Sequence, residues 1–330
     1  MEMIYETGIT LIYALQNNAA WLIPVMRLFT FMGNEEFYLL IAPALFWCIQ
    51  PDLGLRLGIY LMMSASLNSI VKILLHTPRP YWYDDRIRAL TTETSFGMPS
   101  GHAQNSVVVW GAIANYIGRW WGWLLAIVII LMIGISRIFL GVHFPVDVLM
   151  GWAIGAVLLF LMLKLEKPLL RWMEPFSLSI KILLIFTASI GIIIIGFIAQ
   201  KSQSSWQLPV EWLQLAINAS PDAEPFSPFA LDGLFSNAGA LFGLAAGGYF
   251  IKAKGGFKVQ GPLGKLALRY GLGVVGILIF WMGLKALFPG GESAAALIFR
   301  YIRYALVGLW VTAIAPLIFV KLHLAEHKDG

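Results

Sequence analysis

Residues 120–165 read WWGWLLAIVIILMIGISRIFLGVHFPVDVLMGWAIGAVLLFLMLKL, two apolar runs joined by a short polar hinge. Each run, near 122–140 and 147–165, approaches the ~20 residues a helix needs to cross a ~30 Å hydrocarbon layer. The hinge holds Ser136, Arg137, His143 and Asp147, polar groups of a kind that lipid excludes unless they serve a purpose. The stretch therefore predicts two membrane-crossing helices with chemistry where they meet.

The rest of the chain extends this pattern. Apolar length predicts ten spans, near 8–31, 36–50, 54–75, 103–118, 122–140, 147–165, 177–199, 229–251, 267–288 and 298–320. Gln16, Asn17 and Asn18 interrupt the first, whose alternative is an interfacial helix followed by a short span, and Pro43 is placed to kink the second. Composition agrees, since 59% of the residues are hydrophobic and 12% charged, against roughly 25% charged in soluble domains. A disordered tail protein, a secreted disulfide scaffold and a nucleic-acid-binding domain are excluded. The single cysteine, Cys48, sits in an apolar run and reads as a small packed hydrophobe. The start, Met1 to Glu6, lacks the basic region and cleavage site of a secretory signal and is expected to stay on the protein.

The expected fold is all-α, a polytopic membrane helical bundle. Residues 1–175 would form a six-span core and 176–330 a four-span extension, with an extramembrane loop near 201–228 marked by Ser202, Ser204, Ser205, Pro209, Pro221, Pro225 and Pro228. Lys and Arg near span ends favour the cytoplasm. One set of loops carries Arg56, Arg119, Lys164, Lys167, Arg171 and the basic stretch Lys252 to Arg269; the other carries Asp84, Asp85, Glu93, Glu211, Asp222, Glu224, Asp232 and Glu292. The first set is placed in the cytoplasm. The Gly-rich segment Lys252 to Lys265 reads as ordinary loop charge, with headgroup binding as its alternative. Gly239, Gly243 and Gly247 share one helix face, where close packing within the chain is favoured over dimerisation.

Three polar clusters fall at the same-side ends of spans. Lys72 and Arg79 flank the end of the third, where Pro78 and Pro80 stop the helix. Pro99-Ser100-Gly101-His102 opens the fourth: Ser100 is a natural cap, and the free amides beside Gly101 suit an anion. The hinge supplies Arg137, His143 and Asp147, with Asp147 one helical turn past His143, where a carboxylate can hold an imidazole nitrogen. Cations with an amide suit a tetrahedral dianion and the charge that develops on it, as phosphoryl transfer requires. A histidine held by a carboxylate is a nucleophile, and a second histidine is a general acid.

With these residues the chain resembles the type 2 phosphatidic acid phosphatase family, whose three-part signature matches Lys72 and Arg79-Pro80, then Pro99-Ser100-Gly101-His102, then Ser136-Arg137, His143 and Asp147. That family includes undecaprenyl pyrophosphate, sphingosine phosphate and glucose-6-phosphatases and shares its site with vanadium haloperoxidases. The run Arg79-Pro80-Tyr81-Trp82 also looks like a glucose-6-phosphatase segment. The resemblance covers about residues 1–165 in fold and implies that His143 attacks phosphorus to give a phosphohistidine. Asp147 would orient it, and His102 would protonate the leaving oxygen and then activate water. Lys72, Arg79, Ser100, the Gly101 amide and Arg137 would hold the phosphoryl oxygens. It implies no metal and no cofactor; Asp84, Asp85 and Glu93 lack a matching ligand set and read as a solvated loop.

The expected function is removal of the terminal phosphate from a lipid phosphate or pyrophosphate. The expected setting is the bacterial plasma membrane, with the site facing away from the cytoplasm, a lipid partner and no nucleic acid. Phosphotransfer to another alcohol and hydrolysis of a sugar phosphate use the same groups and remain alternatives. A transporter or scramblase binding phosphate headgroups is the alternative without chemistry, but pure binding has no use for a carboxylate-held histidine beside a second histidine. The extension could shape a lipid entrance, form a homodimer surface or carry a second activity.

Overall fold

A computed structural model describes residues 2–221 and 227–328; Asp222, Glu224 and Pro225, used above for loop charge and composition, lie outside the described residues. Regular structure among the described residues is helical throughout. The helices are α1 (Glu2–Asn18), α2 (Ile23–Phe31), α3 (Glu35–Cys48), α4 (Pro51–Leu75), the short α5 (Pro80–Tyr83), α6 (Gly101–Ile117), α7 (Trp120–Phe139) and α8 (Pro145–Met173). They continue with α9 (Leu178–Ser202), α10 (Val210–Ala219), α11 (Asp232–Ala253), α12 (Leu263–Leu278), α13 (Leu284–Leu287), α14 (Ala294–Leu309) and α15 (Ala315–Lys321). Single π-helical turns, Ile279–Gly283 and Trp310–Ile314, join α12 to α13 and α14 to α15.

Seven helical segments among the described residues are long and apolar enough to cross a membrane: Pro51–Tyr83, Trp120–Phe139, Pro145–Met173, Leu178–Ser202, Asp232–Ala253, Leu263–Leu287 and Ala294–Lys321. The other three expected spans correspond to shorter helices. The first breaks at a 3-10 turn, Ala20–Leu22, into α1 of 17 residues and α2 of 9. The second is α3, 14 residues with Pro43 inside it, and at ~1.5 Å per residue it falls well short of a ~30 Å layer. The fourth is α6, 17 residues. Large apolar side chains left exposed on the long helices, Phe160, Leu183 and Ile198 among them, provide the lipid-facing surface.

The chain divides into two compact units. One gathers the residues up to Phe37, Leu67–Leu161 and Phe197–Ala230; the other gathers Tyr38–Ser66, Met162–Gly196 and the chain from Leu231 onward. In the first unit Ile9, Ile12, Trp82, Phe96, Phe139 and Phe144 form the buried core. Gln16, which looked like a flaw in a span, is buried there: its side-chain amide donates to the carbonyls of Arg88 and Phe139 at 2.9 and 3.2 Å, and its oxygen accepts the Arg88 N–H. The segment expected to be a plain loop near 201–228 contains α10, which packs on α5. Leu208, Trp212 and Ala216 supply the apolar face that makes this packing favourable.

In the second unit α11 and α14 lie against each other. An added Cβ would come 2.4 Å from the Tyr301 carbonyl at Gly239 and 2.1 Å from the Ala305 carbonyl at Gly243. The glycine face is thus a helix-packing seam within the chain, as expected. Charges here pair locally: Arg56 with Glu166 at 2.7 Å, Tyr60 with the same carboxylate, and Arg300 with Asp232 at 3.0 Å. Arg269, assigned above to a basic loop, is instead buried and donates to the carbonyls of Leu324, Val259 and Gln260.

Candidate active site

Every site residue predicted from the sequence lies in the first unit. Lys72 occupies the last turn of α4, and its Nζ donates to the carbonyls of Phe96 and Gly97 at 2.5 and 3.5 Å and to the Ser95 hydroxyl at 3.3 Å. Between Pro78 and Pro80, the fully buried Arg79 donates from Nε to the Ser95 carbonyl at 2.7 Å and from Nη2 to the Phe96 carbonyl at 3.0 Å and the Ser95 hydroxyl at 3.1 Å. Its Nη1 reaches the Val142 carbonyl at 2.9 Å and His143 Nε2 at 3.3 Å. One guanidinium therefore ties the first motif to the third.

Asp147 joins the third motif to the second. Its Oδ2 lies 3.4 Å from His143 Nδ1 and accepts the Phe144 N–H at 2.9 Å, while its main-chain carbonyl accepts the Ser100 N–H at 2.9 Å. Gly97 lets these strands of chain meet, because a Cβ there would sit 2.4 Å from the Pro78 carbonyl and 3.2 Å from Asp147 Oδ2. The histidine tautomer follows from the partners. Arginine has only donors, so His143 Nε2 must present its lone pair to Arg79, and the ring proton sits on Nδ1 facing Asp147. Burial, and then the nearby Arg79, Lys72 and Arg137 cations, push the His143 pKa well below the usual imidazole range. A neutral ring with a free Nε2 lone pair is the nucleophilic form.

Arg137, in the last turn of α7, is also buried. It donates to the Thr30 hydroxyl at 2.5 Å and forms an ion pair with Glu93, and its Nε–H is buried without a partner among the described residues. Glu93 departs from the solvated-loop reading given above. Burial would raise its pKa, but Arg137, Arg79, His102 and Lys72 outweigh that and hold it down to about 2. The carboxylate is therefore a fixed negative charge among the cations. Asp84, by contrast, pairs with the exposed Arg86 at 2.6 Å, as a loop residue would.

Ser100 is fully buried and caps α6, its hydroxyl accepting the Ala103 N–H at 3.5 Å. Gly101 begins that helix against Asn68, which donates to the Pro99 carbonyl and to Gln104 Oε1. His102 follows, with Nε2 2.8 Å from Asn34 Oδ1. The structure thus brings Lys72, Arg79, His143 and Asp147 into one bonded network with the Ser100 amide, and sets Arg137 beside it through Glu93. His102 pairs with Asn34 outside that network and is linked to it only by charge coupling to Glu93. Sequence reasoning overlooked Asn34, Thr30, Ser95 and the role of Glu93. The one available signal for Asn34 was the polar break Gly33-Asn34-Glu35 between two apolar runs.

Convergent donors around a neutral, carboxylate-held imidazole suit in-line attack on a phosphoryl group. Comparison with known proteins agrees. The PAP2 superfamily profile matches residues 53–171, and a profile described as the transmembrane extension of PAP2 superfamily phosphatases matches residues 235–327. Phosphatidylglycerophosphatase B of Bacillus subtilis is 30% identical over 167 aligned positions, covering 47% of this chain and 80% of that protein. Human glucose-6-phosphatase 3 is 27% identical over 353 aligned positions, covering 96% and 95%. A crystal structure of a transmembrane PAP2-type phosphatidylglycerolphosphate phosphatase from Bacillus subtilis shares 29% identity over 48% of this chain and 86% of that one, with a TM-score of 0.41. The chain belongs to the PAP2 superfamily, as an integral membrane phosphatase that hydrolyses phosphoric monoesters or diphosphates.

Proposed function

We propose that the enzyme removes the terminal phosphate of a membrane lipid phosphate or pyrophosphate by a two-step reaction on His143. The observation that carries this is the pairing of His143 Nε2 with Arg79 on one side and Nδ1 with Asp147 on the other. In the first step Nε2 attacks phosphorus as the bond to the leaving oxygen breaks, and His102 donates the proton which that oxygen needs. Asp147 stabilises the imidazolium. In the second step His102 takes a proton from water, whose oxygen attacks phosphorus; the P–N bond breaks and inorganic phosphate leaves. Lys72, Arg79, Arg137, the Ser100 side chain and the Gly101 amide neutralise the equatorial oxygens. The positive loop charges on the opposite ends of the spans favour an extracytoplasmic site, and in this reading the membrane is the bacterial plasma membrane. Residues 1–175 carry the phosphatase core and 176–330 the extension; a homodimer through the extension is part of the same proposal.

One observation favours a second substrate class. The likeness to glucose-6-phosphatase 3 runs through the extension as well as the core, whereas the likeness to phosphatidylglycerophosphatase B covers about half the chain. A soluble sugar phosphate is therefore the second reading. Phosphate release by detergent-purified protein from undecaprenyl pyrophosphate, phosphatidylglycerol phosphate, sphingosine phosphate and glucose 6-phosphate separates the two. Activity on a lipid substrate should persist in excess EDTA and be blocked by orthovanadate, whose trigonal bipyramidal form with an axial His143 resembles the transition state. Loss in EDTA with recovery on added Mg²⁺ would contradict the metal-free mechanism, and preference for glucose 6-phosphate would establish the second reading.

A further inference from the structure

Residues 203–229 fall between the two matched segments of the superfamily, 53–171 and 235–327, yet part of this stretch grips the chain that carries the phosphate-binding cations. His76 ends α4 with φ of 35°, a left-handed conformation that turns the backbone toward Thr77, Pro78 and Arg79. Few residue types besides Gly, Asn, Asp and His enter that region. The ring that makes the turn is held from outside the motif. It stacks on Trp206 with centroids 4.7 Å apart and planes 14° apart, and its Nε2 lies 2.7 Å from Gln203 Oε1.

Trp206 has a second hold on the site. It meets Phe96 edge-on at 5.7 Å, and Phe229 closes on Phe96 from another direction at 5.0 Å. The Phe96 carbonyl is an acceptor shared by Lys72 and Arg79, as is the neighbouring Ser95 hydroxyl. The indole therefore touches both the turn between the two cations and the residue whose carbonyl aligns them.

We propose that Trp206, assisted by Gln203, is a positioning residue for phosphoryl binding: it fixes the His76 turn and Phe96 so that Lys72 and Arg79 converge on one group. It does not touch substrate. This rests on the phosphatase reading above and extends it to a part of the chain that lies outside the signature. Loosening the turn displaces two donors at once, and small displacements of binding groups carry large kinetic penalties. The loss should appear in ground-state phosphate binding and in vanadate binding together.

The test uses full-length protein in detergent, with phosphate release, orthovanadate inhibition and melting temperature measured on wild type, Trp206→Ala, Trp206→Phe and His76→Asn. Trp206→Ala should raise KM and the vanadate inhibition constant together by about tenfold while kcat changes less. Trp206→Phe keeps an aromatic face and should recover most of the loss. His76→Asn keeps a residue that tolerates the left-handed turn but removes the stack, and should move both constants in the same direction. A purely structural role would lower the melting temperature and leave the constants of the folded protein unchanged, and that result overturns the proposal. Should Trp206→Ala fail to fold, unchanged constants in His76→Asn overturn it. Wild-type protein inactive on every substrate would overturn the phosphatase reading, and this inference with it, a result distinct from active wild type with indifferent variants.

Discussion

Arg269 and Arg137 are both buried guanidinium groups, 1% and 2% exposed, and they are satisfied in opposite ways. Arg269, in the second unit, donates from Nε and both terminal nitrogens to main-chain carbonyls of Leu324, Val259 and Gln260. Those acceptors are neutral and cannot leave, so the side chain staples the carboxy-terminal segment to its unit. Arg137, in the first unit, faces one hydroxyl and one carboxylate and keeps a buried N–H unpaired. A buried donor without a partner costs stability, and it is retained where a ligand is expected to supply the acceptor. Of these two arginines, the one predicted to bind phosphate is the one whose partners are incomplete or exchangeable.

Substitutions in each unit test that distinction. The largest effect belongs to His143→Ala, which removes the covalent route and should cost at least about 10⁴-fold in phosphate release with the fold intact. Asp147→Asn, which keeps the shape but weakens the imidazolium, should lower kcat by about a hundredfold and change KM little. Steady-state kinetics on purified, folded variants check both, and normal turnover by His143→Ala would remove the nucleophile assignment. A smaller effect is expected at Glu93, whose carboxylate pairs with Arg137 and on the proposed mechanism would compete with an incoming phosphoryl oxygen for it. Glu93→Gln should tighten inhibition by inorganic phosphate by about threefold, because a neutral amide competes less well for the guanidinium than a carboxylate does. Weaker inhibition would mean that Glu93 aligns Arg137 instead of masking it. At the other end of the scale, Arg269→Met should leave kcat/KM of the folded enzyme unchanged while removing hydrogen bonds worth about 1–3 kcal/mol. A thermal melt beside the kinetics checks this, and a catalytic loss without a stability loss would show that the two arginines do not differ in this way.

In the first unit the clustering of polar residues was more legible in the sequence than the shape of the helices. Lys72, Arg79, Ser100, His102, Arg137, His143 and Asp147 were legible because burying ionisable groups at the ends of apolar spans is costly and is tolerated mainly where they bind or react. Their convergence was legible too, since all three motifs fall at same-side span ends. Glu93 was not legible. An acid in a polar loop looks solvated until folding places it against Arg137 across a separation in sequence that no local pattern encodes. Gln16 and α10 were misread in a related way: polar interruptions in an apolar run, or a Ser- and Pro-rich stretch, look like breaks when judged locally. Here they serve as contacts with Arg88 and with α5. The bounds of α3 and α6 agree with the apolar runs read from the sequence to within a few residues, but both helices end short of the ~20 residues of a full span. In the second unit Gly239 and Gly243 announced close helix packing, whereas Arg269 read as loop charge because its carbonyl partners come from the main chain and leave no trace in side-chain identity.

The mechanism requires that His143 Nε2 become covalently bonded to phosphorus. That bond can be trapped by rapid quenching of the enzyme with a lipid phosphate labelled on its terminal phosphate, followed by peptide mapping under alkaline conditions that preserve phosphoramidates. The expected result is an acid-labile label on His143, formed before the phosphate release it precedes, prolonged when His102 is replaced and absent in His143→Ala. Label on any residue besides His143, or full turnover with no labelled protein at any quench time, would contradict it.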